Sequence, residues 1–301
     1  MLAIVIPYFK QVFFEETLES LASQTDKRFK VYIGDDASPE NPANLIEKYG
    51  GQFDFVYHRF ESNLGGTSLV KQWERCIALS VEEEWVMILG DDDYLSDNVV
   101  ASWYQQYDVF NKKSNVIRFA SKSVNMKLNG IISDSFIHPL WEKATDSYYR
   151  RFKGLTRSTL SEYVFAKKSF FKYGFCDFPL AWHSDDAAWL CFTDDKPIYT
   201  INESNVFVRH SDECISGSNK NQNLKNIATE KFYTECICLK LPLFARNQQE
   251  DLLLVYETSI KKNRKLRFNE WYKLMCFYAS NFQFILLLKC FRRFIKSLLY
   301  L

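Results

Sequence analysis

Apolar positions along the first third of the chain follow two alternating periods. Residues 3–6 form a short continuous apolar run closed by Pro7, which predicts a strand buried on both faces. Phe14, Leu18, Leu21 and Ala22 then recur at helical spacing and stop near Thr25. Residues 29–34 predict a second strand, followed by the turn-rich DDASPENP. Residues 42–49 predict a short helix with Gly50 placed to end it. A third strand follows at 53–57, and a helix marked by Leu69, Trp73, Cys76 and Ile77. A fourth strand lies at 85–89, and Val99, Trp103, Tyr107 and Phe110 mark the next helix.

Four such alternations in 111 residues predict an α/β fold, a mostly parallel sheet with helices on both faces. In such sheets ligands bind beyond the carboxyl ends of the strands. Three strand ends here carry chemically capable side chains: Pro7 with Tyr8, Asp35 with Asp36, and the triplet Asp91, Asp92, Asp93. The pattern changes after residue 115. Asn129-Gly130 between apolar segments predicts a β-hairpin. SEYVFAKK and KPIYTIN read as further strands, and SDDAAWLCF as a helix with Ser184 at its N-cap. From about residue 219 the chain reads as helical.

Composition adds two constraints. The chain has 301 residues and is 47% hydrophobic, enough for a full core and against disorder. Net charge is +1, so a whole-protein basic field for nucleic acid is not expected. Residues 260–301 nevertheless hold ten Lys or Arg against one acid, Glu270. The eight cysteines show no CxxC pair and no zinc-like spacing, and Met1 leads directly into an apolar run. The expectation is no secretory signal, with free thiols in a reducing cytoplasm.

The acids carry the candidate chemistry. Adjacent carboxylates repel, and a core gains nothing from them. Taken alone, residues 91–93 read first as a solvated turn leading into the helix near Asn98. At the end of a buried strand, alternate carboxylates can also chelate a hard divalent cation through oxygen. Asp36 reads as an Asx turn before Ser38-Pro39 or as an acceptor for a nucleobase imide. Asp185 and Asp186 read as a pair favoured by a helix start, or as a general base kept ionised there. The flanking Trp182, Trp189 and His183 would suit a sugar-facing rim.

Together these stretches resemble a family 2 glycosyltransferase of the GT-A, Rossmann-like fold. The likeness rests on IPYF at the first strand, Gln24-Thr25 ending the first helix, DDAS after the second strand, NLGG after the third, and the DXD-like triplet after the fourth. It is strong over residues 1–115 and weaker over 116–216. The resemblance implies a catalytic domain over 1–216, with a nucleotide-sugar-binding half at 1–115 and an acceptor half at 116–216, and a basic helical extension at 217–301. It implies an inverting transfer from a nucleotide sugar, UDP-linked in the first place, to a glycan or lipid-linked acceptor in cell-surface polysaccharide biosynthesis, with Mg²⁺ or Mn²⁺. Carried over by position, Pro7 and Tyr8 would border the base and Asp36 would read it. Asn63, Gly65 and Lys71 would lie along the donor cleft, Asp91 and Asp93 would hold the metal beside Asp92, and Asp186, next to Asp185, would be the base. Arg209, His210 and Ser216 match a segment that closes over the diphosphate. Ala37 stands where the family commonly has Gly, the usual Arg-Asn after NLGG is missing, and the absence of a QxxRW element argues against a processive synthase. The alternatives are a nucleotidyltransferase, which would need a Gly-rich phosphate loop after the first strand, or an inactive nucleotide-sugar-binding scaffold.

The tail FQFILLLKCFRRFIKSLLYL is too interrupted by charge to supply the roughly 20 apolar residues of a span. Lys289, Arg292 and Lys296 recur at helical spacing opposite Leu287, Phe291, Phe294, Ile295 and Leu298. That predicts an amphipathic helix lying on an anionic membrane, the inner face of the plasma membrane, or else packed on the catalytic domain or on a second subunit of a homo-oligomer.

Overall fold

The computed structural model describes residues 1–126, 130–210, 221–280 and 283–299. The chain divides into two compact units, Met1–Asn221 and Gln222–Leu301.

In the first unit the expected alternation is present: β1 (Leu2–Tyr8), α1 (Phe14–Ala22), β2 (Phe29–Asp35), α2 (Ala43–Glu47), β3 (Asp54–Arg59), α3 (Leu69–Ile77) and β4 (Trp85–Ile88). A two-residue β5 (Tyr94–Leu95) and α4 (Val99–Phe110) follow. Then come β6 (Val116–Asn125), β7 (Ile131–Ile132), β8 (Trp141–Glu142), α5 (Ala144–Phe152), β9 (Tyr163–Ala166), α6 (Lys167–Tyr173), α7 (Ser184–Phe192) and β10 (Ile198–His210). One sheet runs β3-β2-β1-β4-β9-β6-β10-β5, with β7 on β6 and β8 on β10. The first four strands pair in parallel. The remainder is mixed: β9 runs antiparallel to both β4 and β6, while β6 and β10 are parallel. The change of direction falls where strand–helix alternation breaks down in the sequence.

Alternation along β1 assigns its two faces. Leu2, Ile4, Ile6 and Tyr8 enter the core under α1 and α4, with Leu18, Val99 and Trp103. Ala3 and Val5 enter the core on the other face, with Val70, Trp73 and Ile77 of α3 and Phe192 of α7. Both faces are therefore dry, and each fully buried Leu, Ile or Phe contributes about 1.5–3 kcal/mol. Two local expectations need correction. The left-handed residue after α2 is Gly51 (φ 79°) rather than Gly50. The residue preceding α7 is His183 (φ 70°), not Ser184, which is already the first helical residue. β7 pairs with the end of β6 as a hairpin requires, and Gly130 has φ 77°; Asn129 lies outside the described residues.

The second unit is helical. α8 (Gln222–Lys231) runs on through a π-helical turn, Phe232–Ile237, into the short α9 (Cys238–Lys240). α10 (Arg246–Asn263), α11 (Phe268–Ser280) and α12 (Phe284–Leu299) follow. Phe232, Leu252, Tyr256, Ile260, Trp271 and Leu274 are buried. Arg264 bridges Glu230 at 2.8 Å and Glu270 at 2.7 Å.

Candidate active site

A cleft of about 560 Å³ opens at the carboxyl ends of β1, β2 and β4. Its walls carry Pro7, Asp36, Asn63 and Gly65 from one side and the triplet 91–93 from the centre. Ser161, Trp182, His183, Asp185 and Arg209 complete it. Pro7, Asp36, residues 63–65 and the triplet lie at or just beyond strand ends, whereas Ser161 precedes β9 and residues 182–185 form the turn into α7.

The triplet is held by a dense set of donors. The Leu89 N–H still donates to Val5 in the sheet (2.9 Å), and the Gly90 N–H donates to Ser161 Oγ (3.1 Å). The chain then turns. Asp91 Oδ2 accepts from the backbone N–H groups of Phe9 and Lys10, both at 2.8 Å. Asp93 Oδ1 accepts from the Arg209 N–H at 2.9 Å, and its Oδ2 accepts from Ser161 Oγ at 2.5 Å. Thr17 of α1 donates to the Asp93 carbonyl at 2.7 Å. A Cβ on Gly90 would sit 3.0 Å from Asp92 Oδ1 and 3.1 Å from Asp93 Oδ2, so a side chain there would crowd both carboxylates. Burial, and then the charge of Asp92, push Asp93 up to about 7. Burial likewise leads in raising Asp91 to about 6, with the Lys10 and Phe9 N–H groups opposing it.

Carboxylate oxygens are the ligands a hard divalent cation takes, and a cation at the triplet would relieve the crowding of negative charge. Among the described residues no group of three or more His, Cys, Asp or Glu side chains could hold a metal by itself. Magnesium sites commonly need only one or two carboxylates, with substrate phosphate oxygens and water supplying the rest.

Asp36 lines the cleft, but its carboxylate is already engaged. Oδ1 accepts from the Leu64 N–H (2.7 Å), Oδ2 from the Gly65 N–H (2.9 Å), and Arg75 forms an ion pair with it. In this structure Asp36 anchors the 63–66 loop. A Cβ on Gly65 would lie 2.5 Å from Asp36 Oδ2, so only glycine lets that loop close on the carboxylate. Asn63 Oδ1 accepts from the Gly66 N–H at 2.6 Å and completes the loop. Ala37, at the position of the family's usual Gly, takes φ 52°, a left-handed conformation that glycine adopts without strain.

Several expected site residues lie elsewhere. Tyr8 has the parity of the core face of β1, so its ring packs on Phe14 with centroids 4.6 Å apart, while Pro7 faces the cleft. Lys71 is in the first turn of α3, outside the cleft wall and 3.9 Å from Glu74. His210 ends β10 outside the wall, with its pKa lowered by burial and by Arg157. Arg209 does line the cleft: its Nε donates to the Asp92 carbonyl (2.8 Å), Nη2 pairs with Glu16 (2.5 Å), and its guanidinium lies 4.2 Å from the Phe13 ring centre. Ser216 lies outside the described residues.

Of the two acids at the start of α7, Asp185 lines the cleft and Asp186 does not. Asp186 is buried away from the cleft, and its Oδ2 forms an ion pair with Arg151 Nη1 at 2.9 Å and meets His183 Nδ1 at 2.8 Å. Burial alone would raise its pKa, but the Arg151 charge and the His183 hydrogen bond outweigh that and hold it below the usual carboxylate range. Asp185 faces the cleft, and burial followed by the Asp186 charge pushes it up to about 7. The preceding turn sets this orientation. Leu180, Ala181 and His183 have φ of 61°, 52° and 70°, three left-handed non-glycine residues in four positions. Such conformations cost about 1–3 kcal/mol each and cluster at functional sites.

Arg151 and Ser161 are functional candidates the sequence does not reveal. Arg151 sits in YYRRF, which reads as a solvated helix face, and Ser161 lies in an unremarkable polar stretch.

A family model described as "Glycosyl transferase family 2" matches residues 3–171. "Glycosyltransferase GlyG" of Streptococcus pneumoniae is 24% identical over 107 residues, 35% of this chain and 35% of that protein. The poly(ribitol-phosphate) β-N-acetylglucosaminyltransferase TarS of Staphylococcus aureus is 30% identical over 98 residues, 31% of this chain and 16% of that protein. The match thus spans about a third or less of either relative's length. In three dimensions, residues 1–349 of TarS in complex with UDP-GlcNAc align with a TM-score of 0.65 at 15% identity, over 93% of this chain and 81% of that one. The mannosyltransferase PcManGT of Pyrobaculum calidifontis, in complex with GDP-Man and Mn²⁺, aligns with a TM-score of 0.54 at 9% identity, over 87% and 72%.

Proposed function

The chain belongs to glycosyl transferase family 2 and has the GT-A fold, and from that premise we propose that it transfers a sugar from a UDP-linked donor to a hydroxyl of a glycan or lipid-linked acceptor, inverting the anomeric carbon. Cell-surface polysaccharide assembly at the cytoplasmic face of the membrane is the setting we propose. Residues 1–115 serve the donor and 116–216 the acceptor, with 217–301 as an extension. The likeness to TarS, whose crystal structure holds UDP-GlcNAc, supports the choice of donor.

One observation carries the reading: a cleft-facing carboxylate raised to about 7, Asp185, shares the cleft with the acidic triplet at the end of β4. The acceptor hydroxyl lies against Asp185, which takes its proton as the oxygen attacks C1. The new C1–O bond forms while the bond from C1 to the diphosphate oxygen breaks. A base whose pKa lies near working pH is best placed for this and contributes about 10²–10⁴-fold. Asp186 does not touch substrate; it holds Arg151 and His183 and thereby positions the turn that aims Asp185. Arg209 gives a fixed positive contact toward the departing diphosphate. Asp91 and Asp93 would hold Mg²⁺ or Mn²⁺. Such a cation, when bound, supplies Lewis-acid stabilisation of charge on the leaving diphosphate. The nucleobase lies along the 63–66 loop that Asp36 anchors, with Pro7 beneath it.

The experiment is a thermal-shift screen of UDP-, dTDP- and GDP-sugars with and without Mn²⁺, followed by transfer assays. UDP-sugars are expected to stabilise the protein in a Mn²⁺-dependent way. Asp185→Asn is expected to lose transfer by about 10²–10⁴-fold while keeping donor binding. Stabilisation by no nucleotide sugar would remove the donor assignment. Full transfer by Asp185→Asn would remove the base.

A further inference from the structure

The second unit holds a surface that glycosyl transfer does not use. α12 packs inward through Cys290, which is fully buried, through Arg293 bound to Glu257 at 2.8 Å, and through Phe294, whose ring lies 5.8 Å from that of Trp271. The opposite side is apolar and exposed. Phe284, Leu288, Phe291, Ile295 and Leu298 follow i, i+4, i+7, i+11, i+14 spacing, and all five are exposed, Phe284 at 62% and Leu288 at 69%. Ile285 is 71% exposed beside them. The inward packing of Phe294 on Trp271 rotates this exposed stripe away from the apolar face that sequence spacing alone selects. Lys289, Arg292 and Lys296 are exposed and form a cationic row along one border of the stripe.

We infer that this face of α12 lies in the headgroup region of an anionic bilayer, with the apolar stripe inserted and the cationic row against lipid phosphates. Three features on this helix select that occupant. The stripe runs from Phe284 to Leu298 of a 16-residue helix about 24 Å long, a length that lies along a membrane rather than across one. No described helix is long and apolar enough to cross. The cations stand beside the stripe, as an interfacial helix requires. An antiparallel two-fold contact with a second copy would bring like rows of cations together, whereas an anionic surface neutralises them.

The test uses the full chain in a flotation assay. Vesicles of equimolar phosphatidylcholine and phosphatidylglycerol are compared with phosphatidylcholine alone, at about 0.1 M salt, where fields still reach about 10 Å. The protein is expected to float with the anionic vesicles and stay behind with the neutral ones. Lys289→Glu, Arg292→Glu and Lys296→Glu together are expected to reduce partition by about a hundredfold. Leu288→Ser with Ile295→Ser is expected to reduce it by about tenfold or more. Donor hydrolysis in solution is expected to be unchanged in both variants, so the outcome is independent of the assignment of the cleft. Flotation with neither vesicle, or equally with both, would overturn the inference. So would a dimer in sedimentation equilibrium that Leu288→Ser with Ile295→Ser dissociates, since the stripe would then join two copies.

Discussion

Two neighbouring aspartates show how far environment separates chemically identical side chains. Asp186 meets a guanidinium and an imidazole within 2.9 Å, and they hold its pKa below the usual carboxylate range. Asp185 faces the cleft, and burial beside Asp186 raises it to about 7. A base must be deprotonated to accept a proton. With Asp185 in that role, transfer should fall about tenfold per pH unit below 7 and level off above about 8. A base with the lowered pKa of Asp186 would instead keep the rate flat through that window. The pH dependence of kcat/KM for transfer, with donor saturation checked at each pH, separates the two.

At the level of elements, the strand-end loops do the positioning, and one glycine offers a sharp test. Gly65→Ala would place a methyl 2.5 Å from Asp36 Oδ2, so the 63–66 loop must move off its anchor. The expected cost is about 1–3 kcal/mol of packing strain, with donor affinity falling and the core otherwise intact. Calorimetry with UDP would record it, and unchanged affinity would separate this loop from the donor. These elements were legible to different degrees. β1 and β4 stand out as continuous apolar runs, and α3 and α4 by the spacing of Leu69, Trp73 and Cys76 and of Val99, Trp103 and Phe110. A run buried on both faces does not reveal its parity, so the inward turn of Tyr8 could not be read. The 180–183 turn contains no glycine to signal its left-handed backbone, so nothing in HSDD tells which aspartate faces the cleft. Arg151 and Ser161 are recruited by tertiary contacts alone, and the direction of the four-residue β9 is set by its neighbours.

Across the whole molecule, charge is distributed unevenly, with the acids of the cleft in one unit and a strongly basic stretch from residue 260 in the other. The cleft itself is assembled from both ends of its unit. Thr17 from α1, Ser161 and Arg209 all converge on residues 91–93, and Glu16 of α1 pairs with Arg209. A fragment ending at residue 195, which lacks β10, is therefore expected to bind no nucleotide, although the parallel quartet and its helices are all present. Retention of UDP binding by that fragment, read by thermal shift, would show that β10 is dispensable for the donor side.

The backbone bond from Arg209 to Asp93 spans 116 residues of chain. During synthesis the parallel quartet can pair early, but the carboxylates at its edge must wait for β10 before that donor arrives. The acidic triplet is therefore made early in the chain, and one of its backbone donors is made late.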